Sequence, residues 1–187
     1  MRKLTPYEFN QCTKYGIDPS NIDDEYIPIE YVTGHATFCH HDFTIDQNVL
    51  IPRIESEQII SLAQKYIQKI NKPDITIADI GTGSGCLGIS IHLLYPQSTV
   101  YLSDISPLSL TIAQKNIELL CPNSNKIYFL KYNLISDYPP LTKIDLIIAN
   151  LPYIPSTNIT TLSPSVNQET ILALDGGIAV LLKIDRL

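Results

Sequence analysis

The chain has 187 residues, 44% apolar and 17% charged, enough for one sizeable core and unlike a low-complexity or disordered protein. Its formal charge is −6 with lysine and arginine scattered, which argues against a sequence-independent grip on nucleic acid, since that grip needs a basic face. No apolar run approaches the roughly 20 residues that span a bilayer, and the start Met1-Arg2-Lys3-Leu4-Thr5-Pro6 lacks an apolar signal core, so a cytoplasmic location is expected.

In chain order, the spacing first predicts a short helix over Thr5–Tyr15, started by Thr5-Pro6 and stopped by Gly16. The acidic, proline-bearing stretch Asp18–Pro28 reads as a linker. His35–Leu50, with Phe38, Phe43, Ile45 and Val49, reads as a β-hairpin arm turning at Asp46-Gln47-Asn48. A helix opens near Ile51-Pro52-Arg53-Ile54-Glu55-Ser56-Glu57 and carries the stripe Ile59, Ile60, Leu62, Ala63, Tyr66 and Ile67. Cys12, Cys39, Cys86 and Cys121 lie far apart, as incidental thiols do. Cys39-His40-His41 has no second ligand pair, and on an extended strand its two histidines face opposite sides, so no metal site is expected.

From residue 75 strands alternate with helices: Ile75–Ile80, Cys86–Leu94, Thr99–Ile105, Pro107–Leu120, Ile127–Tyr132 and Ile144–Ala149. That alternation means a parallel, doubly wound α/β sheet. Residues 155–164 read as a loop, and another helix starts after Gly176-Gly177. Nothing obvious then covers the far edge of the fourth strand, so the chain is expected to be incomplete. The expected division is a helical segment and linker over 1–33, an arm and helix start over 34–57, and an incomplete Rossmann-like domain over 58–187.

Asp79-Ile80-Gly81-Thr82-Gly83-Ser84-Gly85 joins a strand to a helix. Its glycines permit positive φ, and the following N–H groups can hold an anionic ligand group. Asp104, ending the next strand, can take both hydroxyls of an adenosine ribose. Asp79 can pair with the ammonium of a methionine moiety where a pyrophosphate would be repelled. Asn150-Leu151-Pro152-Tyr153 follows the apolar run 144–149, so Asn150 arrives at a strand's carboxyl end, where open α/β sheets keep their sites. Its amide suits a planar –NH2 group, Pro152 stiffens the turn, and Tyr153 offers a flat stacking face.

Together with Tyr31-Val32-Thr33-Gly34, Val49-Leu50-Ile51-Pro52-Arg53 with Glu55 and Glu57, Asp104-Ile105-Ser106 and Ala173-Leu174-Asp175-Gly176-Gly177, these blocks resemble the protein-(glutamine-N5) methyltransferases, specifically the peptide chain release factor glutamine methyltransferase family. Leu151, Asn133, Ile54 and Ser56 stand where that family commonly has Pro, Asp, Pro and Thr. The resemblance implies a Rossmann-like fold shortened at both ends, S-adenosylmethionine as cofactor, and a release factor as protein partner of a monomeric enzyme. It implies that Asp79, Gly81, Thr82, Gly83, Ser84, Gly85, Asp104 and Asn150 bind the cofactor, with Leu134 against the adenine. Asn150, Pro152 and Tyr153 become the catalytic residues, and with Leu151 they hold the substrate amide, Asn150 by its side chain and Leu151 by its carbonyl. Three alternatives remain: N6-adenine or N4-cytosine methylation of nucleic acid, methylation of a ribosomal-protein glutamine, and an inactive fragment. Arg53, Glu55 and Glu57 either close over the cofactor or merely start a helix, and Glu169 reads as a helix-start residue.

Overall fold

A computed structural model describes residues 3–22, 26–72, 74–130 and 143–177 of the chain. At its centre strands β3 (Thr76–Ile80), β4 (Thr99–Ser103), β5 (Ile127–Leu130) and β6 (Leu146–Ala149) form an all-parallel sheet in the order β5-β4-β3-β6. Helix α4 (Cys86–Leu94) links β3 to β4, and α5 (Pro107–Leu120) links β4 to β5. The expected doubly wound α/β layout is therefore present, and the order reverses beside β3, the first strand of the sheet in sequence. Such a reversal opens a crevice at the carboxyl ends of the strands.

The sequence explains why β3 is central. Ile77, Ala78 and Ile80 are fully buried, as a strand covered on both faces requires. Gly88 lets α4 press against this sheet, because a Cβ there would collide with Leu102 and crowd Val100. The α5 helix starts with Pro107 at its first position, and the Ser106 hydroxyl caps it by accepting the Ser109 N–H at 3.3 Å.

Two shorter units lie in front of the sheet. Helix α1 (Pro6–Tyr15) begins with a capping box between Thr5 and Glu8 and ends at Gly16, whose φ is +67°. The stretch read as a linker is instead partly built in. Ile22 packs with Cys12 of α1 and Ile29 of α2 (Ile29–Thr33) in a small buried cluster.

Strands β1 (His35–Phe38) and β2 (His41–Thr44) form the hairpin, but its turn is Cys39-His40, not the expected Asp46-Gln47-Asn48. Both turn residues have positive φ, +47° and +65°, the geometry of a two-residue connection that matches the strand twist. His40 and His41 thus sit at a tip and a strand start, not on opposite faces of one strand. Phe38 and Phe43 meet edge to face at 6.3 Å and join the main core, so the arm is welded to the domain.

Helix α3 (Glu57–Ile70) buries Ile60, Ala63 and Ile67 only. Leu62 and Tyr66, read as part of its apolar stripe, are 64% and 44% exposed, because the helix meets its neighbours along one narrow seam. After β6 the chain forms β7 (Ile154–Pro155), two 3-10 turns (Ser156–Thr161 and Val166–Gln168), helix α6 (Ile171–Leu174) and β8 (Asp175–Gly177), which pairs with β7. Gly176-Gly177 therefore lies in a strand, and the helix expected after it falls outside the described residues. Among the described residues β6 pairs only with β3, leaving its far side as the sheet edge.

Candidate active site

The turn from β3 into α4 is a row of alternating left-handed glycines: Gly81, Gly83 and Gly85 have φ of +66°, +56° and +82°. Only glycine adopts these angles without strain. A Cβ on Gly81 would come within 3.0 Å of the Leu151 side chain, so the loop lies directly against the Asn150-Leu151-Pro152 turn. On Gly83 a Cβ would meet nothing within 4 Å, which marks the loop's open side.

Asp104 stands at the end of β4. One carboxylate oxygen accepts the Gly83 N–H at 2.9 Å and the other the Ser106 N–H at 2.9 Å. With these bonds made, the carboxylate still has acceptor capacity for a ligand hydroxyl. Burial pushes its pKa up, against the pull of the Ser106, Gly83 and Ile105 N–H groups.

Asp79 is placed differently from the expectation. It lies behind the loop, 1% exposed and outside the cavity lining, where one oxygen accepts the Thr82 hydroxyl at 2.6 Å and the Gly88 N–H at 2.9 Å. Its other oxygen is buried without a hydrogen-bond partner. Burial pushes this carboxyl up to about 6, with Thr82 and Gly88 opposing. The residue that reads as an ammonium partner is thus an anchor for the glycine loop.

Gly81, Thr82, Gly83, Ser84 and Asp104 face Asn150, Leu151 and Pro152 across one cavity of about 340 Å³, within the roughly 300–1,000 Å³ of ligand pockets. Gly85 caps α4 just outside it. Tyr153 is 71% exposed and lies outside the cavity lining. Leu134 lies outside the described residues. Cys86 lines the cavity, and burial pushes its thiol up to about 12. Among the described residues no group of three or more His, Cys, Asp or Glu is arranged to hold a metal.

Three features escaped the sequence. Asn116, fully buried in α5, donates to the Thr44 and Ser84 carbonyls at 2.9 and 2.8 Å and accepts the Thr44 N–H at 2.7 Å, tying hairpin, helix and glycine loop together. Glu169, 4% exposed, pairs with the Arg53 guanidinium and accepts the Ile51 N–H at 3.4 Å. Burial pushes the Glu169 carboxyl up, with Arg53 opposing. Arg53 thus grips the far loop, while Glu57 accepts the Cys39 N–H at 2.8 Å, so neither simply starts a helix. Finally, Asn48, Leu50 and Ser56 from the arm side and Thr170 and Leu172 from the start of α6 complete the walls. A local signal existed for none of these, because each is a tertiary contact.

Residues 59–180 match the family described as "Ribosomal protein L11 methyltransferase (PrmA)". The chain belongs to this methyltransferase family. Curated relatives include the release factor glutamine methyltransferases of Moorella thermoacetica, 37% identical over 80% of this chain and 52% of that protein, and of Mycoplasma mycoides, 42% identical over 68% and 44%. The chain spans about half the length of the curated relatives it matches. Among solved structures, the hMettl16 catalytic domain in complex with MAT2A 3′UTR hairpin 1 superposes with a TM-score of 0.62 at 19% identity, over 77% of this chain and 53% of that one, a likeness of fold.

The cofactor of this methyltransferase family is S-adenosylmethionine, and the cavity fits it. The loop is a cradle that a side chain at Gly81 would crowd, its Gly83 face is open, and Asp104 stands beside it with acceptor capacity to spare. No helix among the described residues is long and apolar enough to cross a membrane.

Proposed function

We propose that the chain methylates the side-chain amide nitrogen of a glutamine in a protein, with a peptide chain release factor as acceptor. One observation carries this: Asn150, Leu151 and Pro152 line the same cavity as the glycine loop and Asp104. The names of the curated relatives support the choice of acceptor.

When bound, S-adenosylmethionine supplies a methyl group already activated by its sulfonium charge. Gly81 to Ser84 and Asp104 would hold it, the loop through backbone N–H groups and Asp104 through its carboxylate. The harder task falls to the acceptor side, because the lone pair of an amide nitrogen is delocalised into its carbonyl. The Asn150 side-chain oxygen and the Leu151 carbonyl are neutral acceptors that can take the two amide hydrogens and orient them; one of these protons would leave to solvent as the N–C bond forms and the donor's S–C bond breaks. Holding both fixes the nitrogen and turns its lone pair toward the donor, which is catalysis by positioning and electrostatics. Pro152 keeps the Leu151 carbonyl in place by restricting the turn. Such an enzyme would work in the cytoplasm as a monomer, where its acceptor takes part in translation.

The test is transfer of a labelled methyl group from S-adenosylmethionine to a release-factor loop peptide, beside its Gln→Ala version and an adenine-containing oligonucleotide. Label on the glutamine peptide alone is expected. Label on the oligonucleotide, or on neither substrate, would overturn the reading.

A further inference from the structure

Asn150 is held by a contact from across the cavity. Its side-chain nitrogen donates to the Ser56 hydroxyl at 3.3 Å, and both residues line the cavity. Ser56 itself has little freedom. Its N–H donates to the Arg53 carbonyl at 2.9 Å, and the Arg53 guanidinium is paired with the buried Glu169. Glu169 in turn accepts the Ile51 N–H at 3.4 Å, so the turn carrying Ser56 is pinned by its backbone and by its side chains.

An asparagine amide has an oxygen that only accepts and a nitrogen that only donates, and the two ends are nearly the same shape. Packing alone therefore leaves the end presented to a substrate undecided. A hydrogen bond decides it. With the nitrogen engaged by Ser56, the oxygen is the end left for an incoming N–H group. A serine hydroxyl can act in either direction, so the direction of this bond matters: here Ser56 accepts.

We propose that Ser56 is a positioning residue that sets the orientation of the Asn150 amide, so that the site presents an acceptor and selects a substrate –NH2 group. The proposal rests on the reading of Asn150 as the residue that binds the substrate amide. The role assigned to Ser56 is exerted through Asn150, the side chain to which it is hydrogen-bonded.

The experiment uses the full chain labelled with 15N, free of ligand, with the Asn150 side-chain resonance assigned by its loss in Asn150→Asp. In Ser56→Ala the Asn150 side-chain N–H signal should move upfield and exchange faster with solvent, whereas Ser56→Thr should match the parent. Methyl transfer to the glutamine peptide should fall about tenfold in kcat in Ser56→Ala, with KM for the peptide and Kd for S-adenosylmethionine within twofold, and Ser56→Thr should restore it. Should Ser56→Ala fail to fold, Ser56→Cys keeps the size while weakening the acceptor and reads the same contact. An Asn150 resonance unmoved by loss of the hydroxyl would overturn the proposal, as would a Ser56→Thr that behaves like alanine. The resonance needs no substrate. A parent chain inactive on glutamine would therefore sink the functional reading, while the spectrum still decides the role of Ser56.

Discussion

The two walls of the cavity are built in opposite ways. The glycine-loop wall is held mostly at shorter range: Asp79 holds Thr82 three residues away and Gly88 nine away, Asp104 reaches Gly83 from 21 away on the adjacent strand, and Asn116 reaches Ser84 from 32 away. The acceptor wall is sewn together over distance. Asn150 meets Ser56 across 94 residues, and Arg53 meets Glu169 across 116. A local turn retains its shape as long as its strand–helix unit forms. A long-range seam exists only once the whole domain has folded, because loop closure must come first. Binding of the donor and handling of the acceptor should therefore be separable by mutation.

Asn150→Ala should separate them furthest. Loss of the side chain that orients the amide is expected to slow methyl transfer by roughly 10²–10³-fold, about 3–4 kcal/mol, as for a lost oxyanion-hole donor. Kd for S-adenosylmethionine, measured by calorimetry, should stay within about twofold, since Gly83 and Asp104 are untouched. Equal loss of both would mean that the walls are one unit.

Asp79 tests whether the local wall is sustained by a buried carboxyl. Its folded pKa of about 6 lies above the ordinary 3.8, so the folded state binds this proton more tightly than the unfolded state. Its contribution is therefore fully present below about pH 4 and is lost as pH rises through about 6. The loss is on the order of 2–3 kcal/mol. Urea unfolding at pH 4 and pH 7 should show that decline in the parent and a flatter profile in Asp79→Asn. Asp104 and Glu169, both pushed upward by burial, slope the same way, so the difference between the two proteins isolates Asp79. Parallel profiles would mean that Asp79 does not titrate in this window.

Asp104→Ala attacks ligand binding on the same wall. Removing the carboxylate proposed to receive a ribose hydroxyl should weaken S-adenosylmethionine binding by about 2 kcal/mol, roughly thirtyfold in Kd. Turnover at saturating donor should change far less than in Asn150→Ala. An unchanged Kd would mean that the ribose hydroxyls are held elsewhere.

The same division explains what could be read from the amino-acid order. The sheet and both of its crossover helices were legible because β3, β4 and the helices after them carry their own periodicity, caps and glycines. Asp104 and Asn150 were legible as residues of one crevice, and both line the cavity, because each directly follows an apolar strand. The position of Asp79 behind the loop was not legible, because composition marks a carboxylate but not the side of the loop on which it lies. The hairpin turn was missed because Cys39-His40 adopts left-handed angles without a turn-forming residue, while Asp46-Gln47-Asn48 looks like a turn and is not the hairpin's. Ser56, Asn116 and Glu169 had no local mark, since their partners are far away in sequence. Leu62 and Tyr66 fitted the helical period yet point outward, because period gives a face and not its width.

Glu169→Gln probes the seam most gently and sharpens the contrast. Glutamine keeps an oxygen for the Ile51 N–H and nearly the same volume, but removes the charge that pairs with Arg53. The Arg53 side chain is 42% exposed, so solvent screens the lost attraction, and burial already disfavours the Glu169 charge. The net cost should be only about 1 kcal/mol of stability, a few degrees in Tm. Its location matters more than its size. With the grip on Arg53 weakened, the turn carrying Ser56 loses one of its two restraints, so turnover should fall a few-fold while Kd for S-adenosylmethionine stays constant. If affinity fell and turnover did not, the seam would belong to the donor wall, and the separation of the two walls would be wrong.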